Sequence, residues 1–251
     1  MSNTVNPLIF PEGAHRLYRD YRTVSSVSIH LEHKFVYLRV PKAANSTILN
    51  QLYFVFSDTQ VPKNIDRKTY LSQVWMRDLS SLTWAQGRSA RKDYFFFTFV
   101  RDPYSRTLSA FLNKLQWPRY INLYGNRIKK FSDSREIDFT GFCRFLKEGG
   151  GLRLDRHWRP QTDFIWPAID RLDYIGKFES LEDSFRELMD MFGASGRNMV
   201  RSSSDLDFGK HFGPKRTDAS TKKCAMFTNE CKEICNELYA GDFEAFSYLV
   251  Q

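Results

Sequence analysis

Seven consecutive residues, Tyr94-Phe-Phe-Phe-Thr-Phe-Val100, constrain this chain more than any other stretch. Aromatic and β-branched residues with almost no polar interruption suit a strand covered on both faces, as in the centre of a parallel sheet. Such a strand needs helices above and below it, which points to an α/β layered architecture rather than a β-sandwich or a helical bundle. The next residues, Arg101-Asp102-Pro103, turn the chain into a helix: Asp102 suits an N-cap, Pro103 the first turn, and helical spacing continues to about Leu115.

The same logic occurs upstream. Lys34-Phe-Val-Tyr-Leu-Arg-Val40 reads as a buried strand ending at Pro41, and Ile48, Leu49, Leu52, Tyr53 and Phe56 recur at helical spacing over Ser46–Phe56, with Ser46 or Asn45 as N-cap. A third strand over Asp173–Phe178 leads to a capping-box-like start at Ser180-Leu-Glu-Asp183 and a helix to about Phe192. A last helix is expected over Asn229–Tyr239. The fold class is therefore α/β, a three-layer sandwich whose central, mostly parallel sheet is flanked by helices. Residues 1–251 are read as one domain, with 1–30 an N-terminal extension and 117–171 an insertion over the C-terminal edge of the sheet, where open α/β sheets bind ligands.

Charge narrows the partners. Lys and Arg number 37 against 29 Asp and Glu, a formal charge of +8, which favours anionic ligands. Met1–Phe10 has neither a basic start nor a long apolar run, so no secretory signal is read there, and no apolar stretch is long enough to span a bilayer. A cytoplasmic location is the expectation. Cys143, Cys224, Cys231 and Cys235 have no neighbouring His to complete a zinc site; they read as reduced thiols, with no metal and no disulfide framework.

Two turns carry the chemistry. Pro41-Lys42-Ala43-Ala44-Asn45-Ser46-Thr47 leaves a strand and opens a helix, placing backbone N–H groups, the positive helix end, the Lys42 charge and two hydroxyls around one point. Lys42 precedes Ser46 by four residues, so this is not the nucleoside-triphosphatase pattern, which puts Lys directly before Ser or Thr. At the second turn Arg101 emerges beside a helix start, with Ser109 about two turns into that helix. An Arg there suits bidentate phosphate recognition, with a hydroxyl adding one hydrogen bond.

Together these stretches resemble a known family. Arg39–Thr47 (RVPKAANST) is similar to the 5′-phosphosulfate loop of sulfotransferases that use 3′-phosphoadenosine-5′-phosphosulfate (PAPS), and Phe97–Phe111 (FTFVRDPYSRTLSAF) to their 3′-phosphate motif in its carbohydrate-sulfotransferase form. Asp155-Arg-His157-Trp-Arg-Pro-Gln161 resembles the acceptor-side segment of the glycan 2-O- and 4-O-sulfotransferases. Tyr174–Asp183 and Tyr239–Tyr248 extend the likeness, which runs from about Phe35 to Tyr248. Asn45 stands where many relatives carry Gly or Ser, and the membrane anchor with which the animal relatives begin is not read in this sequence.

The resemblance implies a P-loop-like fold, PAPS as sulfuryl donor and 3′,5′-adenosine bisphosphate (PAP) as product. It implies that Lys42 faces the bridging oxygen, that backbone amides of Ala43, Ala44, Asn45, Ser46 and Thr47 hold the 5′-phosphate, and that Arg101 and Ser109 hold the 3′-phosphate. Lys215 and Arg216 add charge to the nucleotide. Of the five histidines only His157 lies in the acceptor-side likeness, which makes it the expected general base, with Asp155 and Glu179 in reserve. Arg153, Arg156, Trp158 and Arg159 are acceptor-side candidates, because cations beside aromatic rings suit an acidic sugar chain. The expected acceptor is a hydroxyl of a polysaccharide, oligosaccharide or glycolipid, with a small secondary-metabolite alcohol as the alternative. A kinase is disfavoured because Ala43, not Ser or Thr, follows Lys42. A nucleic-acid-binding module is disfavoured because no helix-turn-helix, zinc-finger or RNA-recognition pattern is present.

Overall fold

The structure, a computed structural model, describes residues 27–57, 61–78, 90, 92–165, 171–194 and 226–251. Strands are β1 (Val27–His30), β2 (Phe35–Leu38), β3 (Arg77–Asp78), β4 (Phe95–Val100) and β5 (Tyr174–Lys177). The principal helices are α1 (Asn45–Phe56), α2 (Pro103–Lys114), α3 (Phe139–Lys147), α4 (Leu181–Met191), α5 (Asn229–Leu238) and α6 (Ala240–Ala245). The chain divides into two compact units, one within Met1–Val100 and Asp163–Gly213, the other within Arg101–Thr162 and Pro214–Gln251.

The first unit holds a five-stranded sheet in the order β3-β1-β2-β4-β5. β2, β4 and β5 pair in parallel, whereas β1 is antiparallel to both β2 and β3, so four of the five strands share one direction. β4 is an interior strand, paired in parallel on both sides with β2 and β5, as its apolarity requires. Phe35, Tyr37, Phe97 and Phe99 bury one face against Ile48, Leu49 and Leu52 of α1 and Phe185, Leu188 and Met189 of α4. Val36, Leu38, Phe96 and Thr98, on the other face, are equally buried. The Tyr37 and Phe97 rings, paired across the parallel ladder, stack 4.9 Å apart at 3°. Thr98, the one polar residue of β4, donates its hydroxyl to the Leu38 carbonyl at 2.7 Å, which makes its burial tolerable.

Gly176 of β5 is fixed by a close approach. A Cβ there would lie 2.4 Å from Cε1 of Phe99, a ring locked in the core. Gly176→Ala therefore destabilises the protein by about 1–3 kcal/mol through overpacking. Urea denaturation checks this; an unchanged midpoint would show that Phe99 has room to move.

Three local expectations are corrected. α1 starts at Asn45 with Ala44 as N-cap and no side-chain cap, so neither Ser46 nor Asn45 caps it; Asn45 Oδ1 instead accepts from the Tyr37 hydroxyl at 2.9 Å. Ser180 precedes α4 without capping it, because its Oγ lies 3.2 Å from the Ser184 hydroxyl. Residues 27–30, counted from the sequence with the N-terminal extension, form the buried strand β1.

The second unit packs α2, α3 and α5 around Trp158, Tyr104, Phe142 and Phe145. Each helix start is capped as its sequence allows: Asp102 accepts from Ser105 N–H at 3.0 Å, Asp138 from Gly141 N–H at 2.7 Å and Thr228 from Cys231 N–H at 3.2 Å. Gly149-Gly150-Gly151 makes the turn after α3. Gly150 sits at φ 63°, and a Cβ on Gly151 would run into the Phe145 ring. Cys143, Cys231 and Cys235 are free, buried thiols; Cys224 lies outside the described residues.

Candidate active site

Within the first unit, the turn between β2 and α1 holds two non-glycine residues in the left-handed region, Lys42 at φ 70° and Ala44 at φ 59°. Each such residue costs about 1–2 kcal/mol, so the surrounding fold must enforce the shape. The enforcement is visible. Ala43 is buried and donates its N–H to the Val40 carbonyl at 3.3 Å, Ile48 N–H donates to Ala44 C=O at 2.9 Å, and Asn45 is tied to Tyr37. α1 therefore begins with no side-chain cap and no acid in its first turn, while Ser46 is exposed and Thr47 half-buried beside it. An N-terminus of this kind presents N–H groups and partial positive charge to an anion.

Within the second unit, Arg101 is only 5% exposed and directly precedes the N-cap Asp102. Ser109, on α2, is 2% exposed. Gln161, fully buried, accepts from the Arg101 N–H at 2.9 Å through Oε1 and donates to the Arg101 carbonyl at 2.8 Å through Nε2.

Also in the second unit, His157 forms a dyad with Asp155. The Asp155 carboxylate accepts from His157 Nδ1 at 2.5 Å and from the His157 backbone N–H at 2.9 Å. The Tyr120 hydroxyl stands 3.4 Å from Nδ1, and Lys114 Nζ lies 5.1 Å from the centre of the Tyr120 ring. No hydrogen bond reaches Nε2 among the described residues. Burial pushes the His157 pKa down to about 4; Asp155 pulls it up, and Lys114 and Arg156 add to the depression. Burial raises the Asp155 pKa, but the hydrogen bonds and charge of His157 outweigh it and hold the carboxyl below its usual value. The Tyr120 hydroxyl is raised by burial and by the Asp155 charge. The result is a neutral imidazole backed by a carboxylate, with one ring nitrogen left to accept a proton.

The sequence profile of the sulfotransferase family matches residues 26–249. The chain belongs to the sulfotransferase family. Carbohydrate sulfotransferase 14 of Danio rerio is 30% identical over 183 residues, covering 67% of this chain and 48% of that protein. Carbohydrate sulfotransferase 9 of Homo sapiens is 25% identical over 243 residues, covering 91% and 54%. Carbohydrate sulfotransferase 10 of Homo sapiens is 30% identical over 176 residues, covering 61% and 48%. The chain spans about half the length of these curated relatives. No solved structure gives a significant match.

For this sulfotransferase-family chain, several expected site residues stand differently from the sequence reading. Trp158 is not an acceptor platform: it is fully enclosed among Tyr124, Phe142 and Tyr120, and its indole donates to the Gly151 carbonyl at 2.9 Å. Asp155, expected as a base in reserve, is hydrogen-bonded to His157 at both the ring and the backbone, and its pKa is held down rather than raised. Glu179 is exposed in the short turn after β5. Arg153 is exposed, whereas Arg156 and Arg159 are half-buried; the Arg159 carbonyl accepts from Arg106 Nη1 at 2.8 Å. Lys215 and Arg216 lie outside the described residues. Lys114, Gln161 and Asp242 carried no assigned role in the sequence reading. A lysine in the last turn of a helix is common, and a glutamine that serves a distant backbone has no local signature. Among the described residues no group of three or more potential ligands is placed to hold a metal ion, and no helix is long and apolar enough to cross a membrane.

Proposed function

We propose that this protein transfers a sulfuryl group from PAPS to a carbohydrate hydroxyl. The observation that carries the reading is the glycine-free turn at Lys42–Ala44, which holds an uncapped, acid-free helix start beside a lysine. Family membership and the printed names of the relatives support a glycan acceptor, and the buried Arg101 supports a donor marked by a 3′-phosphate.

In the proposed reaction the acceptor oxygen attacks sulfur in line, and the bond from sulfur to the bridging oxygen of PAPS breaks. The Lys42 ammonium stabilises the charge that develops on that oxygen. Amides from Ala43 to Thr47 hold the 5′-phosphate, while Arg101 and Ser109 hold the 3′-phosphate. His157 Nε2 accepts the hydroxyl proton, and Asp155 at Nδ1 stabilises the imidazolium until the proton passes to solvent. The products are PAP and the sulfate ester.

Arg101 offers the test. The protein should bind PAP far more tightly than 5′-AMP, and Arg101→Ala should abolish that preference, a loss of about tenfold or more for one charge-assisted phosphate contact. Titration calorimetry with the two nucleotides reads it directly. Equal affinity of the unaltered protein for both would sink the assignment. Turnover of labelled PAPS with desulfated glycans, compared with small alcohols, identifies the acceptor class.

A further inference from the structure

The backbone at Arg101 has left the sheet without yet entering a helix: β4 ends at Val100 and Asp102 is the N-cap of α2. Its N–H and C=O are thus outside both the ladder and the helical hydrogen bonds, and a buried peptide group left unpartnered costs about 1–3 kcal/mol. Gln161 meets both needs with one side chain, through the 2.9 Å and 2.8 Å hydrogen bonds given above. A carboxamide suits the task because it carries a donor and an acceptor on one planar group, as a peptide does. Gripping the peptide groups on both sides of one Cα fixes φ and ψ there, and so fixes the direction in which the side chain leaves.

Gln161 is itself held. Its backbone N–H donates to Asp242 Oδ2 at 2.7 Å, and the Thr162 N–H and hydroxyl both donate to Asp242 Oδ1 at 2.9 Å. Asp242, on α6, is fully buried. Burial raises its pKa, against the opposing charge of Arg106 and these hydrogen bonds. The same strap of chain is pinned further back, where the Trp158 carbonyl accepts from the Tyr239 hydroxyl at 2.8 Å. Two segments far from Arg101 in sequence, Trp158–Thr162 and Tyr239–Asp242, thus form a chain of hydrogen bonds that ends at its backbone.

We propose that Gln161 and Asp242 are positioning residues that aim Arg101 and thereby set the preference for a nucleotide bearing a 3′-phosphate. The inference rests on the donor reading above. Bidentate pairing of a guanidinium with a phosphate tolerates little angular error, so a released backbone at Arg101 weakens that contact specifically.

Gln161→Met tests this, because it fills the same space and offers neither hydrogen bond. Two measurements are made: PAP and 5′-AMP affinities by calorimetry, and amide hydrogen exchange at Arg101 by NMR without ligand. The expected result is faster exchange at Arg101, a fall of about tenfold in the PAP-to-AMP affinity ratio, and unchanged AMP affinity. A folded variant with an unchanged ratio overturns the inference while leaving the donor reading intact. Equal affinities in the unaltered protein overturn both. Asp242→Asn, which keeps the shape and one acceptor oxygen, serves if Gln161→Met does not fold. It should lower the ratio by a smaller factor, and an unchanged ratio there also counts against the proposal.

Discussion

Lys42→Ala should lower turnover of PAPS by about a hundred- to a thousandfold while leaving PAP affinity within a few-fold, the pattern expected when one charge stabilises developing charge in the transition state. The substitution is informative because it leaves the backbone problem unchanged. Lys42 sits at φ 70°, and alanine meets the same left-handed penalty as lysine, so the turn between β2 and α1 should keep its shape. The N–H groups at the start of α1 remain, and with them the proposed 5′-phosphate contacts. Single-turnover rates with labelled donor, set beside PAP calorimetry, separate the two effects. Turnover within twofold of the unaltered protein would remove Lys42 from the mechanism. Equal losses of rate and of PAP affinity would make it a binding residue only.

His157→Ala should reduce the rate by about 10²–10⁴-fold with donor affinity unchanged, the usual range for loss of a positioned general base. The pH profile gives an independent reading. Burial favours the neutral imidazole and lowers its pKa to about 4, so the base stays competent well below the ordinary histidine range. The acid limb of kcat/KM, which reports the free enzyme, should fall through about pH 4 rather than 6.5, and a limb near 6.5 would contradict the buried dyad. Stability follows the same sign. The unfolded chain binds a proton at His157 near pH 6.5 and the folded chain only near 4, so this contribution is constant above 6.5 and is lost as pH falls through that window. Asp155, held below its ordinary value, adds a further loss as pH falls through its own folded pKa. Both groups therefore make the protein acid-labile, and neither destabilises it in alkali.

Much of the fold could be read directly from the sequence. The near-continuous apolarity of Phe95–Val100 marked an interior strand, and Asp102-Pro103 marked the start of α2 correctly because capping chemistry is local. β1 escaped notice because Val27-Ser28-Ile29-His30 alternates over only four residues, too short a run to stand out, and even its polar positions are buried for tertiary reasons. β3 spans two residues and leaves no periodic trace. At the candidate site the sequence pointed to His157 through its segment, but not to the division of labour around it. Asp155 lies two residues away and binds both the ring and the backbone, and Lys114 and Tyr120 arrive from another helix and a turn. Trp158 read as a sugar platform because aromatic rings among arginines look alike in sequence whether they face solvent or core. Its burial depends on where α3 and α5 pack, which no local pattern encodes.

The glycine-free turn at Lys42 and Ala44 bears on how quickly a ligand can be captured. Glycines would make the left-handed backbone easier to form, but would also leave the turn many shapes to sample before one of them fits an anion. Lysine and alanine, once forced into place by Ala43, Asn45 and Tyr37, have few alternatives nearby. If the turn is the proposed anion site, its shape is set before anything arrives, so association there should be governed by encounter and electrostatic attraction rather than by a rearrangement that follows contact.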